Sequence, residues 1–268
     1  MTVCSGLHIV TTTKNPHGAI MNQSFKRKVA VITGGGSGIG LAIAKSMSDE
    51  GADVIITGRN AETLQEAVKA LGKNVKGIVA DVSSKVSLDA LYEQVKAEFC
   101  HIDILVANAG GGVHAPLGEI TEKQIHDQFA TNVKGVVLTV QQALPLLGKG
   151  SSVIIIGSTA SADPGPTMSI YGATKAAVRN MVRSWITELH GSGIRINIVS
   201  PGPVNTVSLR AAFGDNAEEG IAFLTAKSPL GRIGEPEEIA SVVSFLASDA
   251  SSYVNGIELF ADGGASQT

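Results

Sequence analysis

Short apolar runs alternate with longer amphipathic stretches along most of the chain. From Lys28 onward, runs such as KVAVIT and DVIITG end in turn residues, which is typical of buried strands, whereas the longer stretches repeat apolar residues at helical spacing. This alternation predicts an α/β fold, in which right-handed crossovers build one doubly wound parallel sheet of about seven strands with helices on both faces. The predicted strands are 28–33, 53–58, 75–81, 103–107, 152–157, 194–199 and 256–261, and the predicted helices are 38–50, 61–71, 84–99, 121–147, 169–190 and 236–247.

The sequence after residue 24 has the organisation of one domain. No linker divides residues 25–268, so we expect a single domain there. Residues 1–24 are rich in Thr, Asn, Gly and Pro and lack the pattern of a signal peptide, so we expect a loosely ordered N-terminal extension. The sequence leaves open whether this extension is native or whether Met21 is an alternative start.

Ligands of a doubly wound sheet bind outside the carboxyl ends of its strands, where the strand order reverses. Four segments with chemically informative residues follow predicted strands at that end. Their common placement predicts one site and carries more weight than any single motif. The segments are Gly34–Gly40, Asn108–Gly110, Ser158 and Pro201–Thr206.

The first of these segments has the composition of a phosphate-binding turn. TGGGSGIG, residues 33–40, follows a strand and opens a helix, which is the context that such a turn requires. Glycines let the backbone pass close to a pyrophosphate, and the helix N-terminus offers amide donors and a positive dipole. The same pattern also occurs in tight strand-to-helix connections that bind no ligand. The candidate cofactor-binding residues here are Gly34, Ser37, Gly38, Ile39 and Gly40.

Tyr171 and Lys175 lie four residues apart where a predicted helix begins, so both side chains project from one helix face. A neighbouring ammonium group favours the phenolate, and we therefore expect Lys175 to lower the pKa of Tyr171. Such a pair on its own is common on surface helices. Ser158, at the end of the preceding strand, adds a third polar side chain to the same end of the sheet.

These motifs together resemble the short-chain dehydrogenase/reductase family. The family's T-G-x-x-x-G-x-G turn is matched at residues 33–40, and its Ser and Tyr-x-x-x-Lys are matched at Ser158, Tyr171 and Lys175. The resemblance covers about residues 26–268 and implies a Rossmann-type sheet. It is closest for bacterial NADP-dependent carbonyl reductases and secondary alcohol dehydrogenases, through the ending SSYVNGIELFADGGASQT.

The resemblance implies catalytic roles for four side chains. Tyr171 would exchange a proton with the carbonyl or alcohol oxygen, and Lys175 would hold the nicotinamide ribose. Ser158 would donate a hydrogen bond to the substrate oxygen, and Asn132 would bend its helix and bind a water that relays protons. Enoyl reductases of the superfamily use a longer Tyr-to-Lys gap, so the gap seen here favours carbonyl over C=C reduction.

The resemblance also implies contacts to a bound dinucleotide. Asp81 and Val82, after the third strand, match the residues that contact adenine. The Asn-Ala-Gly turn after the fourth strand lies beside the cofactor ribose in relatives, and the Pro-Gly segment after the sixth contacts the carboxamide and diphosphate. The residues implied by these matches are Asn108, Ala109, Gly110, Pro201, Gly202, Val204 and Thr206, together with Tyr171 and Lys175.

Cofactor preference depends on the end of the second strand. An acidic residue there would bind the ribose 2′-hydroxyl and repel a 2′-phosphate. The strand instead ends in Gly58, followed by Arg59 and Asn60. A guanidinium group suits a phosphate by charge and geometry, so we expect NADP(H). The alternative is that Arg59 only stacks on adenine, in which case NAD(H) is also accepted.

The composition limits the kinds of binding partner that we expect. The net charge of −3, the absence of a basic run and an aromatic content of 4% argue against a nucleic-acid partner. No apolar stretch approaches the length of about 18 residues that would indicate a membrane span. Two cysteines, Cys4 and Cys100, make no disulfide framework and suggest a reducing, cytoplasmic compartment. His101 and His114 lack partners at ligand spacing, so we expect no metal.

The segment 206–228 lies where the family carries a mobile substrate lid. Its apolar residues predict a hydrophobic pocket, and hence a ketone or secondary alcohol substrate with hydrophobic substituents. The resemblance further implies a homotetramer that uses the helices 121–147 and 169–190 and the last strand. The apolar residues of the lid are Leu209, Phe213, Ile221, Phe223 and Leu224.

Two alternatives to a carbonyl reductase stay open. One is another enzyme of the same family, a 3-oxoacyl reductase or a hydroxysteroid dehydrogenase. The other is a regulator that senses NADP(H) without turnover. The presence of Ser158, Tyr171, Lys175 and Asn132 argues against a sensor, which has no need of all four.

Overall fold

The computed structural model describes residues 24–266, in which one sheet of seven strands runs through the protein. All neighbouring strands are parallel, in the order β3-β2-β1-β4-β5-β6-β7. The predicted doubly wound α/β sheet is confirmed. The expectation for residues 1–24 falls, except for Ser24, outside the described residues. The strands are β1 (Val29–Thr33), β2 (Asp53–Gly58), β3 (Val75–Val79), β4 (Ile102–Ala107), β5 (Leu147–Ile156), β6 (Arg195–Pro201) and β7 (Glu258–Ala261).

Helices cover both faces of the sheet. One apolar cluster packs α1, α2 and α9 against it and includes Met47 and Val243, whereas the other packs α3, α5 and α6 and includes Leu88 and Val182. Successive residues of the central strands β1, β2 and β4 alternate between the two clusters, which is why these strands are almost continuously apolar. The helices are α1 (Gly38–Asp49), α2 (Ala61–Leu71), α3 (Lys85–Phe99), α4 (Glu122–Phe129), α5 (Gly135–Ala143), α6 (Ser169–Glu188), α7 (Val207–Phe213), α8 (Ala217–Lys227) and α9 (Pro236–Ala247).

The continuous helix predicted over 121–147 is wrong. A π-helical turn, Ala130–Lys134, separates α4 from α5, and α5 ends at Ala143. Pro145 lies in the 3₁₀ turn that follows, where its missing N–H cannot extend the α-helical ladder. β5 then begins at Leu147, ahead of the predicted 152. Periodicity alone could not reveal the π turn, because its apolar residues keep a nearly helical spacing.

The strand order reverses between β1 and β4. These two strands are neighbours in the sheet, but their crossover connections lead to opposite sides of the pair. A crevice therefore opens above their carboxyl ends. The four candidate segments follow β1, β4, β5 and β6, and so they lie along this one edge.

Candidate active site

The turn after β1 passes so close to its surroundings that Gly35 and Gly40 have no room for a side chain. A Cβ atom added to Gly40 would lie 2.2 Å from the Gly34 carbonyl oxygen. Gly34 and Gly38 have left-handed φ angles of +66° and +52°, which glycine adopts at little cost. The three glycines of the sequence motif are therefore required by the path of the backbone.

This turn ends at the N-terminus of α1, where the first backbone N–H groups have no partner within the helix. Ser37 begins the helix without a side-chain hydrogen bond to it, and the first turn of α1, all of it described, contains no acidic residue. The amides and the positive end of the helix dipole can therefore face an anion. A glycine cradle in front of such a helix fits the diphosphate of a dinucleotide.

Asn108 braces the glycine turn against β4. Its side-chain amide donates to the carbonyl oxygens of Thr33 and Gly34 at 2.9 Å and 3.1 Å. Its backbone N–H and that of Ala109 both donate to Thr33 Oγ1 at 3.0 Å. The turn Asn108–Gly110 thus fixes the crevice wall from the β4 side.

The residues predicted to contact the adenine end lie after β2 and β3. Arg59 is exposed, and Asn60 caps α2 by accepting a hydrogen bond from a backbone N–H of its first turn at 3.0 Å. Burial acts to raise the pKa of the Asp81 carboxyl. Hydrogen bonds from Ser83 and the positive charges of Arg59 and Lys134 outweigh burial and hold that pKa below its usual value. Asp81 is therefore ionised, with the Arg59 guanidinium in electrostatic range.

Three predicted catalytic side chains meet where β5 ends and α6 begins. Ser158 follows β5, whereas Tyr171 and Lys175 project from the first two turns of α6. The Ser158 side chain is close enough to the Tyr171 phenol to act on the pKa of the phenol. Lys175 is buried, its Nζ donates to the Ile156 carbonyl oxygen at 2.8 Å, and the same atom lies 5.8 Å from the centre of the Tyr171 ring. The structure therefore brings these three side chains together.

Burial dominates the titration of this group. It raises the pKa of Tyr171, and the hydrogen bond with Ser158 acts in the opposite direction without reversing the shift. Burial also lowers the pKa of Lys175 to about 8. The expectation that Lys175 lowers the tyrosine pKa is therefore wrong in this structure, because one desolvated pocket disfavours both the phenolate and the ammonium.

Asn132 lies in the π-helical turn and is fully buried. Its Oδ1 accepts a hydrogen bond from the Gly111 N–H at 3.1 Å, and its Nδ2 donates to the Gly111 carbonyl oxygen at 2.8 Å. The same Nδ2 donates to Thr174 Oγ1 at 3.1 Å, next to Lys175. Asn132 thus ties the loop after β4 to α6, whereas its role in a water relay stays a prediction.

The segment after β6 closes the crevice from the other side. Thr206 caps α7, and a Cβ atom added to Gly38 would lie 3.4 Å from Thr206 Cγ2, so this threonine faces the glycine turn. Gly202 has no room for a side chain, since a Cβ there would lie 2.7 Å from Asp262. Besides Lys175, the predicted cofactor contacts with buried side chains are Val82, Pro201 and Val204.

Comparison with known proteins places the chain in a family. A family model described as enoyl-(acyl carrier protein) reductase matches residues 34–266. The crystal structure of a short-chain dehydrogenase from Burkholderia cenocepacia in complex with NADP superposes with a TM-score of 0.83 at 34% identity, covering 90% of this chain and 99% of that chain. The chain belongs to the short-chain dehydrogenase/reductase family.

Relatives of this short-chain dehydrogenase/reductase act on different substrates. The oxidoreductase asL5 of Sarocladium schorii is 45% identical, over 91% of this chain and 98% of that protein. An NADP-dependent (R)-specific alcohol dehydrogenase of Lentilactobacillus kefiri is 35% identical, over 91% and 98% of the two chains. A 3-oxoacyl-[acyl-carrier-protein] reductase of Salmonella typhimurium is also 35% identical, over 90% and 98%.

One residue at the site of this short-chain dehydrogenase/reductase was missed by sequence reasoning. A Cβ atom added to Gly112 would lie 2.8 Å from Cγ and Cδ2 of Tyr171, so the glycine backbone packs directly on the phenol ring. A Cβ at Gly111 would meet nothing within 4 Å. The run of three glycines after Asn108-Ala109 shows that the backbone carries no side chains there. It does not reveal that Gly112 packs on the Tyr171 ring.

The predicted lid folds as α7 and α8, neither of which has a buried residue. The two helices pack on each other, since a Cβ at Gly220 would lie 2.4 Å from the Phe213 ring, and Arg210 pairs with Glu218 at 2.8 Å. Phe223 is 58% exposed. Apolar surface is therefore left uncovered on this segment, while its action as a lid stays a prediction.

Two histidines, His101 and His114, were considered as metal ligands in the sequence. His101 contacts the Phe99 carbonyl oxygen and Asp103 at 2.8 Å and 3.1 Å, beside the amino end of β4, and His114 is exposed. Among the residues that the structure describes, no group of three or more His, Cys, Asp and Glu side chains is arranged to hold a metal ion. None of the helices within residues 24–266 combines the length and apolar character needed to cross a bilayer.

Proposed function

We propose that this protein is an NADP(H)-dependent oxidoreductase that interconverts ketones and secondary alcohols. The observation that carries the proposal is a group of three side chains at the mouth of the crevice: Ser158 and Tyr171 are half-buried neighbours, and the Nζ of the buried Lys175 lies 5.8 Å from the centre of the phenol ring. A glycine cradle suited to a diphosphate lies at the same edge of the sheet. The membership of the family and the alcohol dehydrogenase relative agree with this chemistry.

When bound, the nicotinamide supplies or accepts the hydride. Tyr171 gives a proton to the carbonyl oxygen in the direction of reduction, and it takes the proton back from the alcohol in the reverse direction. A phenol whose pKa is raised by burial is fully protonated at neutral pH and so starts as the acid. Ser158 donates a hydrogen bond to the substrate oxygen and stabilises charge as it develops there.

Lys175 and Asn132 support the Tyr171–Ser158 pair. The pKa of Lys175, lowered by burial to about 8, lets the amine pass a proton toward Tyr171 or take one from it near neutral pH. The same side chain is the one suited to hold the nicotinamide ribose. Asn132 holds the loop after β4 and Thr174 in place through its three hydrogen bonds.

Arg59 supports NADP(H) over NAD(H). It is exposed at the end of β2, where no acidic residue stands to repel a 2′-phosphate, and the NADP-bound structural neighbour and the NADP-dependent relative agree. Hydrogen bonds to a charged group contribute about 1.5–3 kcal/mol. Arg59→Ala should therefore lower kcat/KM for NADPH by about tenfold to a hundredfold and leave NADH almost unchanged.

The control for this experiment is Lys69→Ala, which removes an exposed positive charge from the last turn of α2. It should leave both values unchanged. Equal kcat/KM for NADPH and NADH in the wild type would refute the cofactor preference.

The substrate is a ketone or secondary alcohol with hydrophobic substituents. Support comes from the exposed Phe223 ring and the half-buried apolar side chains of α7 and α8 beside the crevice. A 3-oxoacyl thioester is the second candidate, favoured by the acyl-carrier-protein reductase among the relatives. A panel of aryl ketones, 3-oxoacyl thioesters and 3-ketosteroids, assayed with both cofactors by the loss of reduced-nicotinamide absorbance, distinguishes these substrates from a sensor without turnover.

The protein is proposed to act as a cytoplasmic homotetramer. β7 is the last strand of the sheet and has one edge without a neighbour among the described strands, and Phe245, Tyr253 and Ile257 are exposed near it. Cys100, a free and exposed thiol, suits a reducing compartment. Sedimentation at several protein concentrations tests the assembly.

A further inference from the structure

A carboxylate of the last strand joins two of the segments that carry the predicted catalytic side chains. Glu258 opens β7, and its side chain is only 10% exposed. Its Oε2 pairs with Arg179 Nε at 2.7 Å. Its Oε1 accepts hydrogen bonds from Ser161 Oγ at 2.9 Å and from Ser200 Oγ at 2.8 Å. Both oxygens of this nearly buried charge are thus engaged by side chains from three other segments.

The surroundings of Glu258 are built for close approach. A Cβ atom added to Gly157 would lie 2.3 Å from Ser200 Oγ, so this hydroxyl reaches the carboxylate only because Gly157 lacks a side chain. A nearly buried carboxylate is costly unless it is paired and hydrogen-bonded, and removing one partner leaves the others uncompensated. The partners therefore hold one another in a fixed arrangement.

Two of these partners belong to the elements that carry the catalytic side chains. Ser161 ends the 3₁₀ turn Thr159–Ser161, which Ser158 opens as its N-terminal cap. Arg179 lies on α6 one turn beyond Lys175 and two turns beyond Tyr171. The Glu258 carboxylate therefore connects the turn that presents Ser158 to the helix that presents Tyr171.

We propose that Glu258 is a positioning residue, which, through Ser161 and Arg179, holds the Ser158 hydroxyl beside the Tyr171 phenol. This inference rests on the proposed function, because the Ser158–Tyr171 pair matters for turnover only if it acts on a carbonyl. The short turn that Ser158 opens is followed by a Pro/Gly-rich loop, so the turn needs a tertiary anchor. A misplacement of about 1 Å at a reacting group can lower a rate about a hundredfold.

The first test measures kcat, KM and NADPH affinity for Glu258→Ala, Ser158→Ala and the double variant. Glu258→Ala should lower kcat by about tenfold or more and leave NADPH binding unchanged. In the Ser158→Ala background the same change should have almost no further effect on kcat, because its target is already gone. Ser161→Ala, which removes one hydroxyl, gives a milder variant and should lower kcat in the same direction.

Asp103→Ala is the matched control. Asp103 is also a partly buried carboxylate, with a side chain 20% exposed, and it accepts hydrogen bonds from Lys28 Nζ and from the Val29 N–H at the opposite end of the sheet. The Asp103→Ala variant should have a lower melting temperature, as Glu258→Ala should, but an unchanged kcat. A purely structural role for Glu258 would make the two variants alike.

A second readout needs no turnover. In NMR spectra of protein with isotope-labelled tyrosine rings, Ser161→Ala and Glu258→Ala should shift the Tyr171 signal and leave that of the buried Tyr92 in place, with Tyr171→Phe giving the assignment. Unchanged kcat together with an unshifted Tyr171 signal, or fully additive losses in the double variant, would overturn the positioning role. A wild type that reduces no ketone while the signal still shifts would refute the proposed function alone.

Discussion

The packing of Gly112 on Tyr171 predicts that one added methyl group impairs catalysis. In Gly112→Ala the new Cβ would lie 2.8 Å from Cγ and Cδ2 of the tyrosine and 3.1 Å from its Cβ. Ordinary van der Waals contact begins near 3.4 Å, so the ring or the loop must move by at least 3.4 − 2.8 = 0.6 Å. Neither glycine at 111 or 112 has a left-handed φ angle, so alanine at these positions brings no backbone strain.

The ring gives way more easily than the loop. The backbone N–H and C=O of Gly111 are both bound by the fully buried Asn132, at 3.1 Å and 2.8 Å. The atoms of Tyr171 that meet the new methyl group lie at the base of its side chain, so a small clash there moves the hydroxyl at its far end. A displacement on the order of 1 Å at a reacting group can lower a rate about a hundredfold, and we expect kcat to fall by about tenfold to a hundredfold.

The assay is steady-state ketone reduction, followed by the loss of NADPH absorbance, with NADPH affinity measured separately. Gly111→Ala is the control, because a Cβ at that position meets nothing within 4 Å. We expect it to match the wild type, whereas Gly112→Ala should bind NADPH normally and turn over slowly. Equal kcat values for the two variants would refute the reasoning that the loop is held and the ring displaced.

Two further variants test other parts of the site. The pKa of Lys175 is lowered from 10.5 to about 8, so from about pH 8 to 10.5 the unfolded chain binds more protons and the stability of the folded protein rises with pH. Lys175→Met should therefore lose turnover but raise the free energy of unfolding at pH 7 by up to about 3 kcal/mol. In denaturant titrations this gain in stability over the wild type should become smaller above pH 8. Gly40→Ala places a Cβ 2.2 Å from the Gly34 carbonyl oxygen and should abolish NADPH binding in a fluorescence titration, unlike Gly148→Ala, whose Cβ meets nothing; normal binding by Gly40→Ala would contradict the tight glycine cradle.

Local sequence patterns were sufficient to predict the sheet and most of the candidate site. Strand and helix order follows from residue spacing, and the glycine turn, Ser158 and the Tyr171–Lys175 pair each lie in a short segment whose place in the topology is set by that order. The family could be predicted from the sequence for the same reason, because its motifs are short local patterns.

The features that were missed depend on contacts between distant segments. Gly112 meets Tyr171, and Glu258 meets Ser161 and Arg179, across stretches of chain that no spacing rule connects. Periodicity also missed the π-helical turn at Asn132, where only the family resemblance had implied a bend, because Asn132 is bound to Gly111 of another segment. The direction of the Tyr171 pKa shift was wrong for a related reason: helical spacing reveals the nearby lysine but not the burial that outweighs it.

The most direct measurement of the central claim compares wild type with Tyr171→Phe in NADPH-dependent reduction of an aryl ketone. The wild type should consume NADPH, and the variant should bind NADPH equally well but lose about a hundredfold to ten-thousandfold in kcat, the range that a positioned general acid supplies. A variant that keeps most of its turnover would show that the phenol of Tyr171 is not the proton donor.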